Sequence, residues 1–145
     1  FFKVCFILDN LNKIPKNGNL WLVYLLSYLN QENTLEDISK IIYCLDFLYS
    51  KIELKPNELS LFSSKLMELI EKIKALCQED GSYRSSSKHS PLEETRYALF
   101  SINLLEDLIQ DIIFYYSVEN LKPIKKIYEN VKHVEKTYFF IKNAI

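Results

Sequence analysis

Cys77 to Leu105, CQEDGSYRSSSKHSPLEETRYALFSINLL, is the stretch that decides the fold. Its first half is the longest polar run of the chain, and its second half restarts an apolar pattern. Asp80-Gly81 is a turn pair, because glycine accepts the positive φ that such a turn requires. Ser90, Pro91 and Glu93 then form a complete helix-start signature. Ser90 takes the N-cap, Pro91 the first helical position where its missing N–H costs nothing, and Glu93 the third, from which a carboxylate reaches back to the cap. The stretch therefore reads as a helix end, a turn, a solvated link and a new helix, which is the joint of a helix pair.

Working outward, apolar residues recur at helical spacing on both sides of this joint. Val4, Ile7, Leu8 and Leu11 make one apolar face of a first helix, ended by Pro15 and Gly18. A second helix, from Asn19 to Asn30, is apolar nearly all round and is expected to be buried. Thr34 caps a third, with Asp37 in its first turn and a stripe of Leu35, Ile38, Ile41, Ile42, Leu45 and Leu48. Pro56 separates it from a fourth, Asn57 to Cys77, whose stripe is Leu59, Phe62, Leu66, Leu69, Ile70 and Ile73. Helix five begins at Pro91. EDLIQDIIFYYSV (Glu106–Val118) reads as a sixth element after a kink, and the segment beyond Pro123 as one long or two short helices. No segment alternates as a strand would. The fold class is all-α, one domain over residues 1–145 with about seven or eight helices.

Composition agrees. Two glycines and four prolines are too few for the many tight turns of a sheet protein. A net charge of -1 gives no general pull toward nucleic acid. The longest apolar run, Leu20–Leu29, is about half of what a membrane span needs. Cys5, Cys44 and Cys77 are an odd, widely spaced set without metal-ligand spacing, so a reducing compartment, the cytoplasm, is expected, with no metal and no cofactor. The opening FFKVCFILDNL reads as mid-helix, so these residues are expected to be part of a longer chain or a larger assembly.

Helical segments also resemble one another. KVCFILDNL (3–11) aligns with KIIYCLDFL (40–48), and LEDISKIIYCLDFL (35–48) with LEETRYALFSINLL (92–105). The irregular offsets leave open the alternative that these are simply amphipathic helices in a Leu/Ile/Lys-rich chain. Within 77–105 the pattern is more specific. Gln78, Asp80, Gly81 and Tyr83, followed by Leu92, Glu93, Glu94, Thr95, Tyr97, Ala98, Leu99, Ile102 and Leu105, resemble the repeat of the prenyltransferase and squalene/terpene cyclase superfamily. The resemblance implies antiparallel helix hairpins stacked as an arc of an α/α toroid. It also implies a repeat signature of Gln78, Gly81, Tyr83, Ser90 and Glu93, in which the glutamine ties helix ends and the aromatic packs over the turn. An irregular helical bundle or solenoid is the alternative. The family's DxDD and DDxxD boxes are absent, as are recognisable counterparts of its zinc ligands, so no catalytic residue is assigned.

Other chemistry is weaker. His89 suits a base, alone or with Cys77 as nucleophile, but reads better as an exposed loop histidine, and His133 as a surface one. SYRSSSKHS (82–90) carries Arg84, Lys88 and five serines that would suit a phosphate, yet lacks a phosphate loop's glycines and reads as a mobile, solvated link. In a toroid, inward aromatics would line an apolar cavity. Trp21, Tyr24, Tyr97, Phe114, Tyr115 and Tyr138 are the candidates, plain core packing being the alternative. Charge is uneven: from Pro91 to Glu119 six acids face only Arg96, whereas Lys122–Ile145 is basic. The expected function is a non-catalytic helical-repeat segment that scaffolds or binds through an aromatic-lined concave face. Its partner would be a protein or more of its own chain, with an isoprenoid or other apolar ligand as a further candidate and neither nucleic acid nor a membrane span. The alternatives are a piece of a terpene cyclase or prenyltransferase whose catalytic motifs lie elsewhere, and a protein-interaction adaptor.

Overall fold

The computed structural model describes residues 1–29 and 32–115. These form five helices, α1 (Phe2–Asn10), α2 (Gly18–Tyr28), α3 (Leu35–Lys51), α4 (Pro56–Ala75) and α5 (Pro91–Tyr115). Among the described residues there is no strand, only one isolated antiparallel bridge between Cys77 and Tyr83. Residues 116–145, with His133 and Tyr138, lie outside the described residues.

α3 is the hub. It packs against α1, α2 and α5, and α5 in turn meets α4. A helix covered from several sides needs more than one apolar stripe, and α3 buries Ser39, Cys44 and Phe47 in addition to the expected six residues. Its start is a true capping box. The Asp37 N–H donates to Thr34 Oγ1 (3.2 Å) and the Thr34 N–H to the Asp37 carboxylate (3.0 Å). α4 buries its whole expected stripe, Leu59 through Ile73. Pro56 is its first residue, and the Glu58 carboxylate accepts the Lys55 N–H at 2.8 Å. The Lys72 ammonium on α4 donates to the Leu29 carbonyl at the end of α2, where a cation suits the helix dipole.

Three expectations need correction. The break between helices five and six does not exist, because α5 is continuous from Pro91 to Tyr115. Its buried side, Ala98, Ile102, Leu105, Ile109 and Ile112, keeps helical spacing straight through Glu106. In α1 most of the face chosen from the sequence points outward: Val4 (47% exposed), Ile7 (54%) and Leu11 (61%) are exposed, whereas Leu8 packs on the core with the buried Cys5. This nine-residue helix is apolar on two sides, and periodicity does not say which side a neighbour will take. α2, expected to be buried all round, covers Leu22, Leu25 and Leu26 but leaves Leu20, Val23 and Tyr24 exposed. It begins at Gly18, where a Cβ would stand 2.5 Å from Ile52 Cγ2. Glycine is there for a close approach and does not merely interrupt the helix.

Candidate functional site

The polar stretch after α4 is built into the fold. The Gln78 side-chain amide donates to the Leu76 carbonyl (3.1 Å) at the end of α4. The Arg84 N–H donates to the same carbonyl (3.0 Å), so two donors serve one orphan acceptor. Gly81 has φ 84°. The Asp80 carboxylate accepts the Ser82 N–H (2.9 Å) and hydroxyl (2.6 Å), which hold it below the usual carboxylate range. Tyr83 is buried, and its N–H donates to Thr95 Oγ1 (3.1 Å) on the first turns of α5. Ser90 and Glu93 exchange reciprocal bonds, Glu93 N–H to Ser90 Oγ (3.3 Å) and Ser90 N–H to the Glu93 carboxylate (3.1 Å).

This loop is then pinned to α3. The Ser85 N–H (2.7 Å) and hydroxyl donate to Glu94 Oε2, and Ser85 Oγ accepts the Leu35 N–H (2.8 Å), an orphan donor of the first turn of α3. Glu94 is fully buried, and its second oxygen, Oε1, has no hydrogen-bond partner among the described residues. His89 Nε2 lies 2.9 Å from Glu36 Oε2, while the Lys40 ammonium donates to Glu36 Oε1 at 2.6 Å. Lys40 first and His89 second pull the Glu36 carboxyl down to about 2. The His89 ring meets Tyr97 edge-on, with centroids 5.6 Å apart. The mobile-link and exposed-histidine readings are thus overturned. His89 is half-buried, and the loop is a strut between α3 and α5.

Beside this strut, a groove of about 640 Å³ opens between the start of α3, one side of α5 and Phe2. Tyr97, Leu99 and Phe100 give it apolar walls, and Ser39, Lys40, Glu93, Arg96 and Asn103 give it polar ones. Neither the Arg96 guanidinium nor the Tyr97 hydroxyl makes a hydrogen bond or ion pair among the described residues.

Of the aromatics grouped from the sequence, Trp21, Tyr24 and Tyr97 are described, and they fall in two places. Trp21 and Tyr24 sit on α2 around Phe1, at ring distances of 5.6 and 5.1 Å, and Tyr24 leans on Tyr28 at 5.2 Å. Tyr97 lies apart from them on the groove. The side chains of Phe114 and Tyr115 lie outside the described residues. The thiols of Cys5 on α1 and Cys44 on α3 are both buried, and the Cys5 side chain, then burial, push the Cys44 thiol up. Among the described residues no three His, Cys, Asp or Glu side chains are grouped to hold a metal ion. None of these helices is long and apolar enough to cross a membrane.

Asp46, on α3, is half-buried without an ion pair or hydrogen bond among the described residues. Burial, then Asp111, Asp107 and Asp9, push its carboxyl up to about 6. The native state thus holds this proton more tightly than the unfolded chain, so stability falls as pH rises through the interval from about 4 to about 6. Asp46→Asn removes that loss. Near neutral pH the variant is expected to be more stable by about 1–2 kcal/mol, after allowance for the partial exposure of the carboxyl. Below about pH 4 the gain vanishes. Urea denaturation at the two pH values checks both statements.

The sequence signal for the strut was Glu94 itself. It stands at helical spacing with Ala98, Ser101 and Leu105, all buried, so this first-turn acid belongs to the inward face. Ser85 carried no comparable signal. No family model, curated protein or solved structure matches this chain.

Proposed function

We propose that the chain is a non-catalytic helical-repeat scaffold of the α/α-toroid kind, docking another helical layer on the outer side of its α1–α2 pair. One observation carries the reading. Of the large apolar side chains exposed among the described residues, Val4, Phe6, Ile7, Leu20, Val23, Tyr24 and Tyr28 belong to α1 and α2, and Phe1, Leu11 and Ile14 flank or link them, whereas α4 and α5 contribute only Leu61, Leu92 and Phe100. Concentrated exposure of this kind marks a surface that another protein layer covers. The resemblance of residues 77–105 to the toroid repeat supports the same reading, since stacked helix pairs bury each other's outer faces.

An apolar face that meets another helical layer also associates with its own copy when alone in solution, because the hydrophobic effect is not directional. Sedimentation equilibrium of the 145-residue chain is therefore expected to show self-association. Ile7→Lys combined with Val23→Lys should abolish it while leaving the thermal midpoint unchanged, since both side chains are more than half exposed. A wild-type chain that stays monomeric, or a double variant that associates equally well, refutes the docking face.

A further inference from the structure

We propose that the groove between α3 and α5 binds a single-tailed amphiphile with one carboxylate head group, of the fatty-acid class. The argument starts from the periodicity of α5. With Glu94, Ala98, Ser101 and Leu105 turned inward, the residues beside them, Arg96, Tyr97, Phe100 and Asn103, fall on the side that lines the groove. That side presents a cation, two aromatics and an amide. A volume of about 640 Å³ lies within the range of small-molecule sites.

Charge selects the head group. The groove has two cations and one acid. Lys40 is engaged by Glu36 at 2.6 Å, and Glu93 spends a carboxylate oxygen on its own helix cap at Ser90. Among the described residues Arg96, whose charge is felt by the Glu93 carboxylate, is the cation without a hydrogen bond or ion pair, and the Tyr97 hydroxyl next to it in sequence is a donor without an acceptor. An unengaged guanidinium and a free hydroxyl suit a single carboxylate, which accepts from both. Phe2, Leu99 and Phe100 supply the wall for a hydrocarbon tail. A cationic head group would meet Arg96 and Lys40, and an uncharged one would leave the guanidinium unused.

Titration calorimetry of the full chain with dodecanoate below its micelle concentration tests this, with dodecanol and dodecyltrimethylammonium as comparisons. One equivalent of dodecanoate is expected to bind, and the two comparison amphiphiles more weakly. Arg96→Gln should weaken dodecanoate by about tenfold, the worth of one hydrogen bond to a charged group. Phe100→Asp should weaken it further. Both residues are exposed, so these variants are expected to fold, and unchanged circular dichroism shows that they do. No binding, equal binding of all three amphiphiles, or dodecanoate binding that survives Arg96→Gln overturns the proposal. So does binding abolished instead by Ile7→Lys with Val23→Lys, which would place the amphiphile on the α1–α2 face. The self-association test and this one read different surfaces, so either reading can fail alone.

Discussion

Phe62→Ala is expected to lower the unfolding free energy by about 3–5 kcal/mol, the cost of removing a ring from a closed core and leaving a void. Phe62 has no exposed surface and lies flat against Tyr49, with centroids 5.7 Å apart and planes within 7°. Leu59 and Leu66, one turn away on either side of α4, are also buried. A backbone held on both sides does not collapse into the space. Domains of this kind have about 5–15 kcal/mol in total, so the loss takes a large part of it. Phe62→Leu keeps most of the volume and should recover more than half. Urea denaturation with both variants is the measurement. A loss under about 1 kcal/mol for alanine would mean that the site closes on itself and that the stack contributes little.

The second large effect is expected at Glu94. Alanine there strips the Ser85 N–H and hydroxyl of their acceptor in a partly buried position, and Ser85 in turn caps Leu35. Unpaired buried donors cost about 1–3 kcal/mol each, and relief of the carboxylate's own desolvation offsets part of that. The net expectation is a loss of about 2–3 kcal/mol. Glu94→Gln retains the accepting oxygen and gives the pocket a neutral amide, so it should stay within about 1 kcal/mol of the wild type. Parallel thermal and urea unfolding of the two variants decides it. If alanine is as stable as glutamine, the carboxylate does not hold the loop.

The helices were legible because their signals are local. Thr34 with Asp37 and Ser90 with Glu93 satisfy orphan N–H groups within one turn, and a six-residue stripe such as that of α4 leaves only one face to bury. Orientation was legible only where one face is apolar. α1 and α2 carry apolar residues on two sides, and which side turns inward depends on α3, whose position the two helices do not encode. The strut was the least legible part. Ser82, Ser85, Ser86 and Ser87 look alike as letters, and what makes Ser85 structural is a backbone N–H at Leu35, far away in sequence. Arg96 was visible as the lone cation in an acidic stretch. Its place on a groove beside Lys40 and Phe2 depends on two other helices.

The Leu35–Ser85 hydrogen bond joins positions 50 residues apart, and this sets an order of assembly. On the ribosome α1 and α2 are made before α3, the helix they pack against. α3 then waits, with part of its first turn unsatisfied, until the serine and the start of α5 have been made. The amino-terminal helices are thus docked onto a hub whose own completion comes late. Long-range closures of this sort are slow compared with helix formation. The exposed apolar side chains of α1 and α2 are therefore already present while the rest of the molecule is still being synthesised.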